Sequence, residues 1–162
     1  MHAVGLELWD KRVNLSSGGT DAKPSAAAVW GGCARATSVD MSISRPDICI
    51  TADAHGQVAV WDIRYLPSNR EGNATNGTST APLSNLAVDS EVWQVRAPPG
   101  DRALACTQAG SLLDITYNSS NANDGYHNNS ASVVEVFKGS YAIDCMDVDT
   151  SGKDIILGMG NE

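Results

Sequence analysis

The side chains best suited to chemistry are few and scattered. The three histidines, His2, His55 and His127, fall in a terminus, a turn and a loop. None has a serine, cysteine or carboxylate at a spacing that builds a relayed nucleophile. The four cysteines, Cys33, Cys49, Cys106 and Cys145, are separated by 16, 57 and 39 residues. No pair therefore has the C-x-x-C spacing of a zinc or dithiol site. Three of them, Cys49, Cys106 and Cys145, lie in apolar strand-like runs and are expected to be buried free thiols. Asp147, Asp149, Ser151 and Gly152 spell the start of a calcium loop. Such a loop needs a bidentate glutamate at its twelfth position, which here is Gly158. Gly158-Met159-Gly160 opens no helical pattern, so it is not a dinucleotide fingerprint. Asp10 and Asp62 each follow a tryptophan at the end of an apolar run, where a carboxylate ends the strand and accepts local hydrogen bonds. No catalytic, cofactor-binding or metal-ligating residue is expected, and no small-molecule ligand.

The stretch GQVAVWDIRY, Gly56 to Tyr65, raises a different question. It ends in Trp61, Asp62 and Arg64, and the same Trp-Asp-x-Arg pattern occurs at Trp9, Asp10 and Arg12, 52 residues earlier. Val58 and Val60 alternate with Ala59 and Trp61, and both alternating sets are apolar. A half-exposed strand would carry polar residues on one of them. The strand must therefore belong to a sheet covered on both sides. Gly56 before it, and Pro67, Ser68 and Asn69 after it, are turn signals.

Bulk properties fit this picture. A chain of 162 residues with a hydrophobic fraction of 42% can build one globular core. No apolar run approaches the roughly 20 residues of a membrane helix, and the start MHAVGLELWDKR lacks the pattern of a secretory signal. A net charge of −8, with only 11 scattered basic residues, argues against a nucleic-acid surface or a basic membrane patch. Sequons at Asn14, Asn73, Asn76, Asn118 and Asn128 sit in Asn/Ser-rich stretches and are expected to carry no glycan.

The Trp-Asp repeat belongs to a larger unit of strand, Pro/Gly turn, strand, tight turn, strand. One copy is SVDMSISRPDICITADAHG with the strand ending at Trp61; a second is VWQVRAPPGDRALACTQAGSLLDITY; a third is IDCMDVDTSGKDIILGMGNE. Met41 and Ile43 are matched to Val95 and Ala97, and Gly56 to Gly110, both by a shift of 54. Met146 and Val148 follow Val95 and Ala97 by 51 residues, and Ile115-Thr116 takes the Trp-Asp place of the second copy. The expected blades are 38–65, 91–117 and a truncated 141–162, with 1–12 the end of an earlier one. Polar insertions at 13–25, 67–82 and 118–132 bury too little to order themselves. A fourth strand per unit is expected near Ala26 to Trp30, Leu83 to Val88 and Val133 to Phe137.

These residues resemble the WD-repeat β-propeller family, whose four-stranded blades stand radially around a channel. The resemblance implies an all-β partial propeller, about three blades of a probable seven, in which Trp9, Asp10, Arg12, Gly56, Trp61, Asp62, Arg64, Trp93 and Gly110 are structural motif residues. The family's turn aspartate is expected to be missing, because the residue before Gly56 is His55 and that before Gly110 is Ala109. More narrowly, three features are similar to WD-repeat nucleoporins, peripheral subunits of the Y-shaped outer-ring scaffold of the nuclear pore: the order WDIR, DSEVWQV and LACTQAGSLLDITY; the trio Glu91, Val92, Trp93; and a degenerate last blade. That resemblance implies a non-enzymatic scaffold at the nuclear envelope, with helical-solenoid and WD-repeat nucleoporins as partners and no direct membrane insertion. It also implies a chain that starts inside the third strand of one blade and is a fragment or truncated product. The rival resemblance is to substrate receptors of cullin-four ubiquitin ligases, in which Arg12 and Arg64 would contact the adaptor.

Overall fold

The computed structural model describes residues 5–8, 26–29, 35–66, 82–118 and 131–160, and every structural statement below concerns these. Twelve strands follow one another: β1 (Gly5–Leu8), β2 (Ala26–Val29), β3 (Ala36–Met41), β4 (Ile48–Asp53), β5 (Gln57–Asp62), β6 (Ser84–Ala87), β7 (Val92–Arg96), β8 (Arg102–Thr107), β9 (Ser111–Thr116), β10 (Ser132–Lys138), β11 (Ile143–Val148) and β12 (Ile155–Met159). Apart from a single 3₁₀ turn at Ile63–Tyr65, no helix occurs among the described residues. None is therefore long and apolar enough to cross a membrane.

The strands pair antiparallel into two complete sheets, β3-β4-β5-β6 and β7-β8-β9-β10, flanked by the pairs β1-β2 and β11-β12. The complete sheets run over 36–87 and 92–138. The fourth strands fall where the sequence placed them, as β2, β6 and β10, the last beginning at Ser132. The insertions 13–25 and 67–82 lie outside the described residues except for Pro82, and 118–132 does so between Asn118 and Ala131.

Apolar residues on both faces of a strand do face two neighbours. In β5, Val58 and Val60 join a core layer with Ile48 and Ile50 of β4, which packs against Val92 and Val95 of the next blade. Ala59 and Trp61 point the other way, into a layer with Cys49 that Leu6 and Leu8 of β1 cover. The second blade repeats the arrangement. Ala103, Ala105, Leu113 and Ile115 complete the first of these layers, while Leu104, Cys106 and Leu112 pack on Ile143 and Met146.

Register shows how the units correspond. The first strand of each unit carries an irregularity at the same place, between Ala36 and Ser38, Val92 and Gln94, and Ile143 and Cys145. Opposite them stand Asp53, Thr107 and Met159. Val39, Val95 and Met146 are therefore equivalent, as are Met41, Ala97 and Val148. The match of Val95 and Ala97 to Met146 and Val148 stands. The match of Met41 and Ile43 to Val95 and Ala97 is corrected to Val39 and Met41. The physical reason is the first turn: between the equivalent positions, from Met41 to Ile48 in the first blade and from Ala97 to Arg102 in the second, the chain is two residues shorter in the second. A shift of 54 holds only beyond it, as at Gly56 and Gly110.

Candidate interaction site

Gly56 and Gly110 close equivalent tight turns with φ of +80° and +79°, a left-handed conformation that glycine alone adopts without strain. The carbonyl of each accepts from the segment entering the next unit, Val88 N to Gly56 O at 2.9 Å and Gly139 N to Gly110 O at 2.8 Å. The position before Gly56 is His55, and the turn is capped instead by a carboxylate three residues before the glycine. Asp53 is fully buried, and its Oδ1 accepts from His55 N at 2.9 Å and Gln57 N at 2.8 Å. The signal was the spacing Asp53-x-x-Gly56. In the second blade Thr107 takes the same place, its Oγ1 accepting from Ser111 N at 3.0 Å.

Trp61 is buried, and its indole N–H donates to Thr51 Oγ1 across the β4–β5 pair at 2.9 Å. That bond lets a large ring fill the space beneath β1 with its polar edge satisfied. Asp62 is likewise buried, and its Oδ1 caps the following 3₁₀ turn by accepting from Arg64 N at 3.0 Å. The same carboxylate takes the Arg64 guanidinium as a fork, Nε to Oδ1 at 2.9 Å and Nη2 to Oδ2 at 2.5 Å. These hydrogen bonds from Arg64 hold the Asp62 carboxyl below its ordinary range and push the guanidinium further up. Arg64 Nη2 also lies 3.0 Å from Asp47, which pairs with Arg45, which in turn reaches Asp101 at 3.8 Å. The Trp-Asp-x-Arg segment thus ties its strand end to the first turn of its own blade and on to that of the next. In the second blade Thr116 stands in Asp62's place, and Arg102 is held by Asp114 instead. Trp93 of β7 is half-buried against Leu104 and Met146. Trp9, Asp10 and Arg12 lie outside the described residues, as do His2, His127 and Cys33.

Blades are also joined through their first strands. Thr37 Oγ1 donates to Val92 O at 2.6 Å, Ser38 Oγ accepts from Val95 N at 3.1 Å, and Asp40 Oδ2 accepts from Ala97 N at 2.9 Å. At the next junction Gln94 Oε1 accepts from Met146 N at 2.6 Å. Gln94 is equivalent to Ser38 and Met146 to Val95, so one device is used twice.

The residues that invited chemical readings have structural work. Asp149 accepts from the backbone N–H groups of Ser151, Lys153 and Asp154 and from Ser151 Oγ, all within the β11–β12 turn. These bonds bring its carboxyl down to about 2. Burial pushes the Cys49 thiol up to about 12 and the Cys106 thiol to about 11, so both stay protonated. Cys145 was expected to be buried and is exposed, because it stands on the face of β11 that would meet a further blade. Among the described residues no three His, Cys, Asp or Glu side chains cluster as a metal site would require.

A groove of about 380 Å³ lies on the open surface between the blades. Val88, Asp89, Thr107, Val133, Glu135 and Lys138 line it. Lys138 Nζ donates to Ser111 Oγ at 2.8 Å on its wall. Beside it β10 is exposed along its whole length and presents Val134, Val136 and Phe137. An apolar edge strand next to a mixed-charge groove can receive an extended peptide or a partner's surface.

No family model and no curated protein matches the sequence. Solved structures share its fold. The β-propeller domain of Cps50 (Swd1) from Myceliophteria thermophila superposes with a TM-score of 0.67 at 10% identity, over 96% of this chain and 42% of that one. A chain of the mitotic checkpoint complex gives 0.67 at 12%, over 96% and 40%. The WD40 repeats of RRP9 give 0.61 at 11%, over 85% and 39%. At such identities the likeness shows the fold alone: a partial WD-repeat β-propeller of about three blades, spanning some two-fifths of the length of those propellers.

Proposed function

We propose that this chain is a non-enzymatic scaffold module that holds other proteins together, and that its assembly is the Y-shaped outer-ring complex of the nuclear pore. The observation that carries the scaffold reading is where the interior side chains go. Both faces of the two complete blades are committed to neighbouring sheets, and the polar groups at the turns to capping and to ion pairs within the fold. What remains for function is outer surface: β10, the inter-blade groove and the charged turn end around Arg45 and Arg64. A propeller of the same fold is found in a multi-protein assembly, the mitotic checkpoint complex.

The pore assignment rests on the sequence. The succession of WDIR, DSEVWQV, LACTQAGSLLDITY and a degenerate last unit is similar to the C-terminal half of nucleoporin forty-three. On this reading the partners are helical-solenoid and WD-repeat nucleoporins, and the chain resides at the nuclear envelope. The cullin-four reading, with Arg12 and Arg64 on an adaptor, has less behind it, because the Arg64 fork is already engaged by Asp62 and Asp47.

Affinity purification of the tagged chain from nuclear envelopes tests the proposal. Recovery of several Y-complex subunits in proportion to the bait supports it. A preparation without them, or one holding a cullin adaptor that Arg12→Ala and Arg64→Ala together release, overturns it.

A further inference from the structure

β6 and β10 hold the same place, the outer fourth strand of a complete blade, yet they are built differently. β6 is four residues long and reads SNLA. Its large apolar side chain, Leu86, packs half-buried against the core. A short edge of that kind discourages pairing with another chain. β10 is seven residues long and reads SVVEVFK, and every residue of it is exposed. One edge of β10 pairs with β9; among the described residues no strand lies on the other. The fold does not demand a long apolar fourth strand, since β6 does without one. A bulge between Glu135 and Phe137 interrupts the register, so the regular part of the edge is 132–135.

Side chains of a strand alternate between its two faces. Val133 and Glu135 share the face of β10 that turns toward the first complete blade, where they line the groove with Val88 and Asp89. Both walls of that groove belong to the two complete blades. Two carboxylates, Asp89 and Glu135, stand there against one ammonium, and Lys138 Nζ already donates to Ser111 Oγ at 2.8 Å. That nitrogen lies 3.9 Å from Glu135, with both side chains about half exposed, so the ion pair is loose. The groove therefore keeps negative charge, on a chain whose net charge is −8.

We infer that this edge receives an extended segment of a partner protein, added antiparallel to β10, whose sequence runs basic residue, any residue, aliphatic residue. The inference rests on the scaffold reading and not on the nuclear pore assignment. A strand is the occupant that the edge specifies. An edge strand turns alternate backbone N–H and C=O groups outward, and a second strand meets them at the right spacing. Residues directly opposite each other point to the same face. The partner residue opposite Val133 therefore enters the groove beside Leu113, where an aliphatic side chain fits. The one opposite Glu135 enters on the acidic side, where a lysine or arginine fits. Antiparallel chains run in opposite senses, so the partner meets Glu135 first and Val133 two residues later. Opposite charges and aliphatic pairs across strands stabilise, whereas the reversed order sets a charge against Val133 and leaves Glu135 facing an aliphatic chain.

The test uses the whole 162-residue chain, isotope-labelled for NMR, and the synthetic peptide Thr-Thr-Lys-Thr-Val-Thr-Thr. Titration should shift the amide signals of 132–135 and of Asp89, and leave those of β6, the equivalent edge, in place. The reversed peptide Thr-Thr-Val-Thr-Lys-Thr-Thr should bind at least about fivefold more weakly. Methylating the peptide's backbone nitrogens should abolish binding, because a strand pairs through its N–H groups. Asp89→Lys with Glu135→Lys, both exposed changes, should reverse the charge preference in favour of Thr-Thr-Glu-Thr-Val-Thr-Thr. Unshifted signals at millimolar peptide, equal binding of the two orders or of the methylated peptide, or shifts away from β10 overturn the inference. So does a concentration-dependent shift at 132–135 without peptide, which a second copy on the edge would give. None of these readouts involves a pore subunit. The inference can therefore fail while the pore assignment stands, and the pore assignment can fail with the peptide still bound.

Discussion

Gly56 and Gly100 both have positive φ, +80° and +93°, yet alanine should act differently at the two. A Cβ at Gly100 would meet nothing within 4 Å, so Gly100→Ala adds only left-handed strain, about 1–2 kcal/mol. A Cβ at Gly56 would press into the Val88 carbonyl oxygen and lie 2.7 Å from that of Ser90. Both atoms are backbone and cannot swing aside, so Gly56→Ala should cost about 3 kcal/mol or more. Urea unfolding of the two variants gives the difference directly. Acid supplies a second test at this scale. Asp149 titrates at about 2 in the folded chain, against about 3.9 for an unfolded aspartate. A depressed folded pKa means stabilisation that is full above the unfolded value and lost as pH falls through the folded one. Asp62, also lowered, acts in the same direction. The urea midpoint should therefore drop between about pH 4 and about pH 2. Asp149→Asn, which cannot ionise, should show a shallower drop over that window.

The strands themselves were legible because period-two apolar runs such as VAVW and ICIT admit no other arrangement at that length. Register was less so. Between equivalent positions the first turn loses two residues from one blade to the next, and nothing local in APPGD announces that, so a constant shift misplaced Met41 by two residues. Asp53 escaped notice for a related reason: it ends a strand and reaches forward over the turn, so its role depends on two backbone N–H groups and not on the residue adjoining Gly56. The clasps between first strands were not legible at all, since Ser38 and Gln94 do the same work with different chemistry. They can now be addressed one junction at a time. Asp40→Ala removes the acceptor for Ala97 N, and Gln94→Ala that for Met146 N. A hydrogen bond of this kind contributes about 1 kcal/mol, which corresponds to roughly fivefold in local opening. Amide exchange should accelerate at Ala97 and not at Met146 in the first variant, and the reverse in the second. Equal acceleration at both sites in either variant would show that the clasps are not independent.

Among the described residues apolar contact lies in three layers, and the middle one joins the two complete blades. Ile50 is fully buried there. Cutting it back to alanine opens a cavity that neither sheet can fill, because each strand is pinned by its ladder, and should cost about 2–5 kcal/mol. Against a typical total of about 5–15 kcal/mol that is a large fraction, so the urea midpoint of Ile50→Ala should fall markedly at every protein concentration. Ile156 occupies the equivalent place in the last sheet pair but is 74% exposed in one chain. In a dilute monomer Ile156→Ala should stay within about 0.5 kcal/mol of the parent. A midpoint for Ile156→Ala that falls as far as that of Ile50→Ala in the monomeric range would contradict the assignment of the layers, since two equivalent side chains would then be equally buried in a single chain.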